Sequence, residues 1–106
     1  MASNFNVTGS VSIGTSAVQV GSYTPGAGVK TVVLSLILSN KLTSDITVSA
    51  WHYNATANTT LITNAPVAAG ESLALQKIVM AANNKLWVSS NTASSVDATL
   101  SYLEIT

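Results

Sequence analysis

Turn-forming residues recur along this chain roughly every 8–12 residues, and that spacing constrains the fold more than any other feature. The turn signals fall at Gly14, TPGAG (24–28), SNKLTSD (39–45), NATANTT (54–60), AAGES (68–72), AANN (81–84) and NTASS (91–95). Between them lie short runs rich in Val, Ile, Leu, Thr and aromatics, and no window carries a helical period. The pattern predicts eight strands, near 7–13, 16–23, 30–39, 45–53, 61–66, 73–80, 85–90 and 96–105. The expected fold is all-β, an antiparallel β-sandwich of jelly-roll or Ig-like wiring. A Gly-, Ser- and Asn-rich segment, 1–20, is expected to be an N-terminal arm or an edge strand, with Phe5 as its large anchor. It either joins a neighbour or forms an ordinary first hairpin within its own chain. Residues 21–106 form the sandwich domain.

Alternation assigns faces. In 45–53, Ile46, Val48 and Ala50 share the expected core face, with Thr47 and Ser49 opposite. In 96–105, Val96, Ala98, Leu100 and Tyr102 alternate with polar residues, but Leu103 and Ile105 are also apolar. A bulge near 101–103 or an end buried on both faces would account for this. The run GVKTVVLSLILSN (28–40) predicts Leu34, Leu36 and Leu38 in the core, with Val33, Ser35, Ile37 and Ser39 on the other face. A strand apolar on both faces is central to its own sandwich or covered by another subunit. The run is far shorter than the ~20 apolar residues of a membrane helix.

The charge content is sparse and balanced. Charged residues are 8% of the chain and the formal net charge is +0, where an ordinary globular protein has about 25% charged residues. Nucleic acid and anionic membranes are not expected as partners. A neutral surface of Ser, Thr and Asn does little to hold copies apart. The N-terminus has neither the charged nor the apolar region of a signal peptide, so the three sequons are expected to be incidental.

The sequence offers little chemistry. There is no Cys and one His, so no zinc ligand set and no nucleophilic triad are expected. The acids lie on separate segments, which argues against a paired-carboxylate hydrolase. His52 is expected to be a partly buried structural residue. No catalytic residue, metal or cofactor is expected, and the chain is not expected to be an enzyme. The candidate functional residues are interface residues: Phe5, Val33, Ile37, Trp51, Tyr53 and Trp87. Trp51 and Tyr53 share a non-core face, which suits an interface or a sugar-stacking platform.

The stretches KTVVLSLILSN, LITNAPVAAGESLAL and NNKLWVSSNTASSVDATLSYLEIT resemble small virion structural proteins of tailed bacteriophages, cyanophages among them. The likeness rests on Asn64–Gly70, on Asn84–Ser90 and on Leu100–Ile105, and it spans about residues 22–106. Asn64 and Asn84 stand where that family often has Asp, and the N-terminal segment has no counterpart. The resemblance implies a virion β-domain made in the host cytoplasm and assembled in many copies. A capsid decoration (cement) protein is its leading form; a tail or neck component, or a carbohydrate-binding adhesin module, is the alternative. The implied partners are the chain itself, as a homotrimer or other symmetric oligomer, and the major capsid protein or other virion proteins.

Overall fold

In a computed structural model, residues 3–106 are described; Met1 and Ala2, the first residues of the expected arm, lie outside them. The strands are β1 (Ser3–Ile13), β2 (Val18–Gln19), β3 (Lys30–Asn40), β4 (Ile46–Tyr53), β5 (Asn58–Val67), β6 (Ser72–Leu75), β7 (Ile78–Met80), β8 (Lys85–Ser90) and β9 (Val96–Ile105). A short 3₁₀ turn, Val20–Ser22, follows β2. The expected strand at 73–80 is split in two at Gln76–Lys77, where Lys77 adopts a φ of 62°.

All pairings are antiparallel. The first sheet has the order β1-β9-β3-β6, with β7 also paired to β3; the second has the order β2-β8-β4-β5. With β6 and β7 taken as one interrupted strand, this is jelly-roll wiring: each sheet interleaves early and late strands. The topology decides between the two sandwiches the sequence left open. The segment expected as an arm or an edge strand carries β1, which pairs with β9 of the same chain. Gly9 permits the close approach, since a Cβ there would stand 2.5 Å from the carbonyl oxygen of Ala98.

The two sheets enclose one core. Ile13, Val33, Leu36, Leu38, Met80 and Leu100 contribute from the first sheet, and Ile46, Val48, Leu86 and Val88 from the second. Polar groups within this layer are paired. Asn40, 3% exposed, donates from Nδ2 to the carbonyls of Ser44, Val67 and Ala68 and accepts from the Leu42 N–H. It ties the end of β3 to the end of β5. The adjacent turn closes through Glu71 N–H to the Ala68 carbonyl, with Gly70 at φ 72°, a conformation glycine adopts without a Cβ clash.

One expectation about faces is corrected. Val33 lies in the core, 1% exposed, and Leu34 lies outside it, 44% exposed. The register between β3 and β9 shifts between Val33 and Ser35, so Leu34 is the extra residue of a bulge. A bulge places two residues against one and resets the alternation. Beyond it Leu36 and Leu38 face the core as expected. Across the bulge β9 keeps strict alternation through Tyr102, and Leu103 and Ile105 are half-buried on the far face. β9 therefore keeps its alternation to the end, with the apolar Leu103 and Ile105 on the outer face and no bulge of its own.

Candidate interaction faces

The outer face of the first sheet carries an apolar row in register. Phe5 pairs with Leu103, Leu103 with Val32, and Val32 with Val79. The row therefore crosses β1, β9, β3 and β7. Its two ends are open: Phe5 is 75% exposed and Val79 is 61% exposed. Leu103 and Val32 between them are half-buried. Val7, Leu34 and Ile105 stand in the rows on either side of it, and Ile37 lies further along the same sheet, opposite Thr99. Full covering of a Phe or Val side chain contributes about 1.5–3 kcal/mol, so the open ends alone retain much of the stabilisation that a partner would supply.

The far end of this face is polar. Lys41 Nζ lies 3.1 Å from Asp97 Oδ1 and donates to Ser12 Oγ at 2.7 Å. The Ser12 N–H donates to Asp97 Oδ1 at 2.9 Å. That backbone bond, aided by Lys41, holds the Asp97 carboxyl below its ordinary pKa.

Beneath the apolar row, the inner side is locked by a tyrosine. Tyr23 Oη donates to Glu104 Oε2 at 2.7 Å and lies 2.6 Å from Thr31 Oγ1. The Tyr23 and Tyr102 rings meet at 4.2 Å between centroids. Burial, together with the neighbouring Glu104 carboxylate, pushes the Tyr23 phenol well above its usual range, although the Thr31 bond pulls the other way. Tyr23 thereby fastens β3 to β9 where their outer surfaces carry Val32 and Leu103.

The outer face of the second sheet is aromatic. Gln19, Trp87, Trp51 and Thr60 form one cross-strand row through β2, β8, β4 and β5. The next row is Lys85, Tyr53 and Asn58, with Lys85 Nζ 5.8 Å from the centre of the Tyr53 ring. Trp51, Tyr53 and Trp87 are all half-buried. His52 turns to the other side, its Nε2 2.8 Å from Asn84 Oδ1. Asn84 Oδ1 also accepts the Ala81 N–H, so the oxygen assignment makes His52 Nε2 the protonated nitrogen. Its role is to brace the 81–84 turn.

The six residues named from the sequence thus separate into three places. Phe5 and Ile37 lie on the first outer face, Trp51, Tyr53 and Trp87 on the second, and Val33 in the core. Val32, Val79 and Leu103 join the first face without having been named. For Val79 a signal was available, since it stands between the inward Ile78 and Met80. No pocket is present among the described residues, and no group of three or more His, Asp or Glu side chains could hold a metal ion among them. No helix among them is long and apolar enough to cross a membrane.

No protein-family model matches the chain, and no curated protein matches it in sequence. Its fold is similar to that of solved structures. A chain from the structure of infectious bursal disease virus, Gx strain, aligns with a TM-score of 0.60 and 11% identity, covering 98% of this chain and 33% of that one. A chain of Bacillus endospore appendages, described as a novel family of disulfide-linked pili, aligns with a TM-score of 0.58 and 13% identity, covering 99% of this chain and 87% of that one. The Gt strain of the same virus gives 0.51 and 9% identity, over 95% of this chain and 30% of that one. The chain thus spans about a third of the viral chains. At these identities the likeness is one of fold.

Proposed function

We propose that this chain is a structural protein of a virion, a capsid decoration (cement) protein that binds the major capsid shell and stabilises it without catalysis. The observation that carries this reading is the in-register row Phe5–Leu103–Val32–Val79, open at both ends on an otherwise neutral surface. Contiguous apolar surface of this kind marks a protein contact. The mechanism is burial of that row against a shell subunit. Two further facts support it: the likeness of fold to chains of a virus and of a pilus, and the resemblance of residues 22–106 to small phage virion proteins.

The aromatic row on the other sheet favours a second reading, a carbohydrate-binding adhesin module. Trp51, Trp87 and Tyr53 lie among uncharged hydrogen-bonding residues, with Lys85 as the charged neighbour.

Co-sedimentation with empty capsid shells of the parent virus tests the first reading. The wild type should pellet with the shells. Val79→Asp should remain in the supernatant with an unchanged melting temperature, because Val79 is exposed and outside the core. A wild type that stays in the supernatant overturns the decoration reading. A glycan array that responds to the wild type and goes blank for Trp87→Ala would replace it with the second.

A further inference from the structure

Two open sheets have four edges, and soluble proteins guard such edges with short strands, charges, proline or bulges. Three of the four are guarded here. β2 has 2 residues and runs into the 3₁₀ turn. β6 and β7 have 4 and 3 residues, interrupted at Lys77. β5 is long, but its register with β4 breaks twice, Asn64 has a φ of 48°, and Pro66 lacks an N–H donor.

β1 is different. Ser3–Ser10 pairs with Ala98–Ile105 in unbroken register, and its irregularity comes only after Ser10, with Ser12 at φ 55°. The strand SNFNVTGSVSI has no charge and no proline. No other described strand pairs with its free side. Phe5, Val7 and Val11 are also exposed, at 75%, 67% and 75%. An unguarded edge of this length is a template for a further strand.

We propose that β1 pairs antiparallel with β1 of a second copy, across a twofold axis perpendicular to the first sheet. The occupant follows from the count of edges. With a single unguarded edge among the described strands, copies can satisfy one another only through that same edge, and such an isologous contact closes at two. The axis preserves the faces, so the two first sheets become one and their apolar rows run on into each other. Pairing centred on Asn6 sets Phe5 opposite Val7 of the partner subunit, twice over. Centring on Val7 would set Phe5 against a glycine. Aromatic and β-branched residues are favourable cross-strand partners, so the Asn6 register is preferred.

This pairing rests on the reading of the chain as a subunit of a larger assembly, and it is tested separately. The chain has no cysteine, so Asn6→Cys introduces a lone thiol at the exposed centre of the proposed contact. The register brings the two Cα atoms within disulfide reach, roughly 4.4–6.8 Å. Under mild oxidation Asn6→Cys should form a covalent dimer, while Val79→Cys, exposed on the opposite edge, should not. Adding Val7→Lys to Asn6→Cys removes two favourable cross-strand pairs and should lower dimer yield about tenfold. Equal cross-linking through positions 6 and 79, or a wild type monomeric by light scattering at millimolar concentration, overturns the proposal. A covalent dimer alongside failed shell co-sedimentation would leave the edge pairing and remove the decoration reading; the converse removes the pairing alone.

Discussion

Replacing Tyr23 by Phe removes one oxygen and disturbs two partners. The Tyr23 hydroxyl has one proton, which goes to the Glu104 carboxylate at 2.7 Å, so Thr31 supplies the proton of their mutual 2.6 Å contact. A hydrogen bond to a charged group contributes about 1.5–3 kcal/mol, and an orphaned buried polar group costs about 1–3 kcal/mol. Thr31 is 0% exposed, so water cannot replace the lost oxygen without entering the core. We expect Tyr23→Phe to destabilise by about 3 kcal/mol. Thr31→Val should cost about 1 kcal/mol, because the phenol keeps Glu104. The double variant should cost clearly less than the sum, since no unpaired hydroxyl remains, giving a coupling of about 1–2 kcal/mol. Urea unfolding of all four proteins at neutral pH measures the cycle. The alkaline limb gives an independent check. The folded state keeps a proton that an unfolded tyrosine releases near pH ~10, so this stabilisation is full below that pH and is lost as pH rises above it. Tyr23→Phe should flatten that fall without abolishing it, because burial raises the Tyr102 phenol as well. Singles that simply add, or a Tyr23→Phe cost under ~1 kcal/mol, would refute the account of Tyr23 as the clamp between β3 and β9.

Asn40→Ala should destabilise by about 2–4 kcal/mol, as it strips bonds from the carbonyls of Ser44, Val67 and Ala68 and from the Leu42 N–H; the thermal midpoint checks this. Asp97 has a lowered pKa in the fold, so its contribution is present above the unfolded value near ~3.9 and is lost as pH falls through the folded one. Its side chain is 40% exposed, so Asp97→Asn should flatten the acid limb of stability by only a few tenths of a kcal/mol, read from urea midpoints across that range.

The strands were legible because period-2 alternation and turn residues act locally. The run at 30–40 shows where such reading stops. One extra residue at Leu34 exchanges the faces of Val33 and Leu34, and a run of consecutive aliphatics contains nothing to mark it. Leu103 and Ile105 suggested a bulge or a doubly buried end, whereas they continue the alternation of β9 onto an apolar outer face, which no pattern within one strand reveals. For the Gly-rich start, an arm and an edge strand stayed open, because composition cannot show that Gly9 sits against the Ala98 carbonyl. The outer apolar row is a tertiary object: Phe5, Leu103, Val32 and Val79 become neighbours only through pairings between distant segments. The jelly-roll order was beyond reach for the same reason.

That pairing of β1 with β9 also governs timing. Asn6 and Glu104 are 98 positions apart, so on the ribosome β1 has no place to dock until β9 has emerged. Contacts of such separation form late and slowly. Phe5 cannot join the apolar row, nor β1 present a regular edge, before synthesis of the chain has passed Ile105. A chain that has not yet made β9 thus lacks the surface by which copies would recognise a partner. Under the proposed pairing, the edge of β1 becomes available only once β9 has been made, so a chain still short of that strand is kept from joining its neighbours.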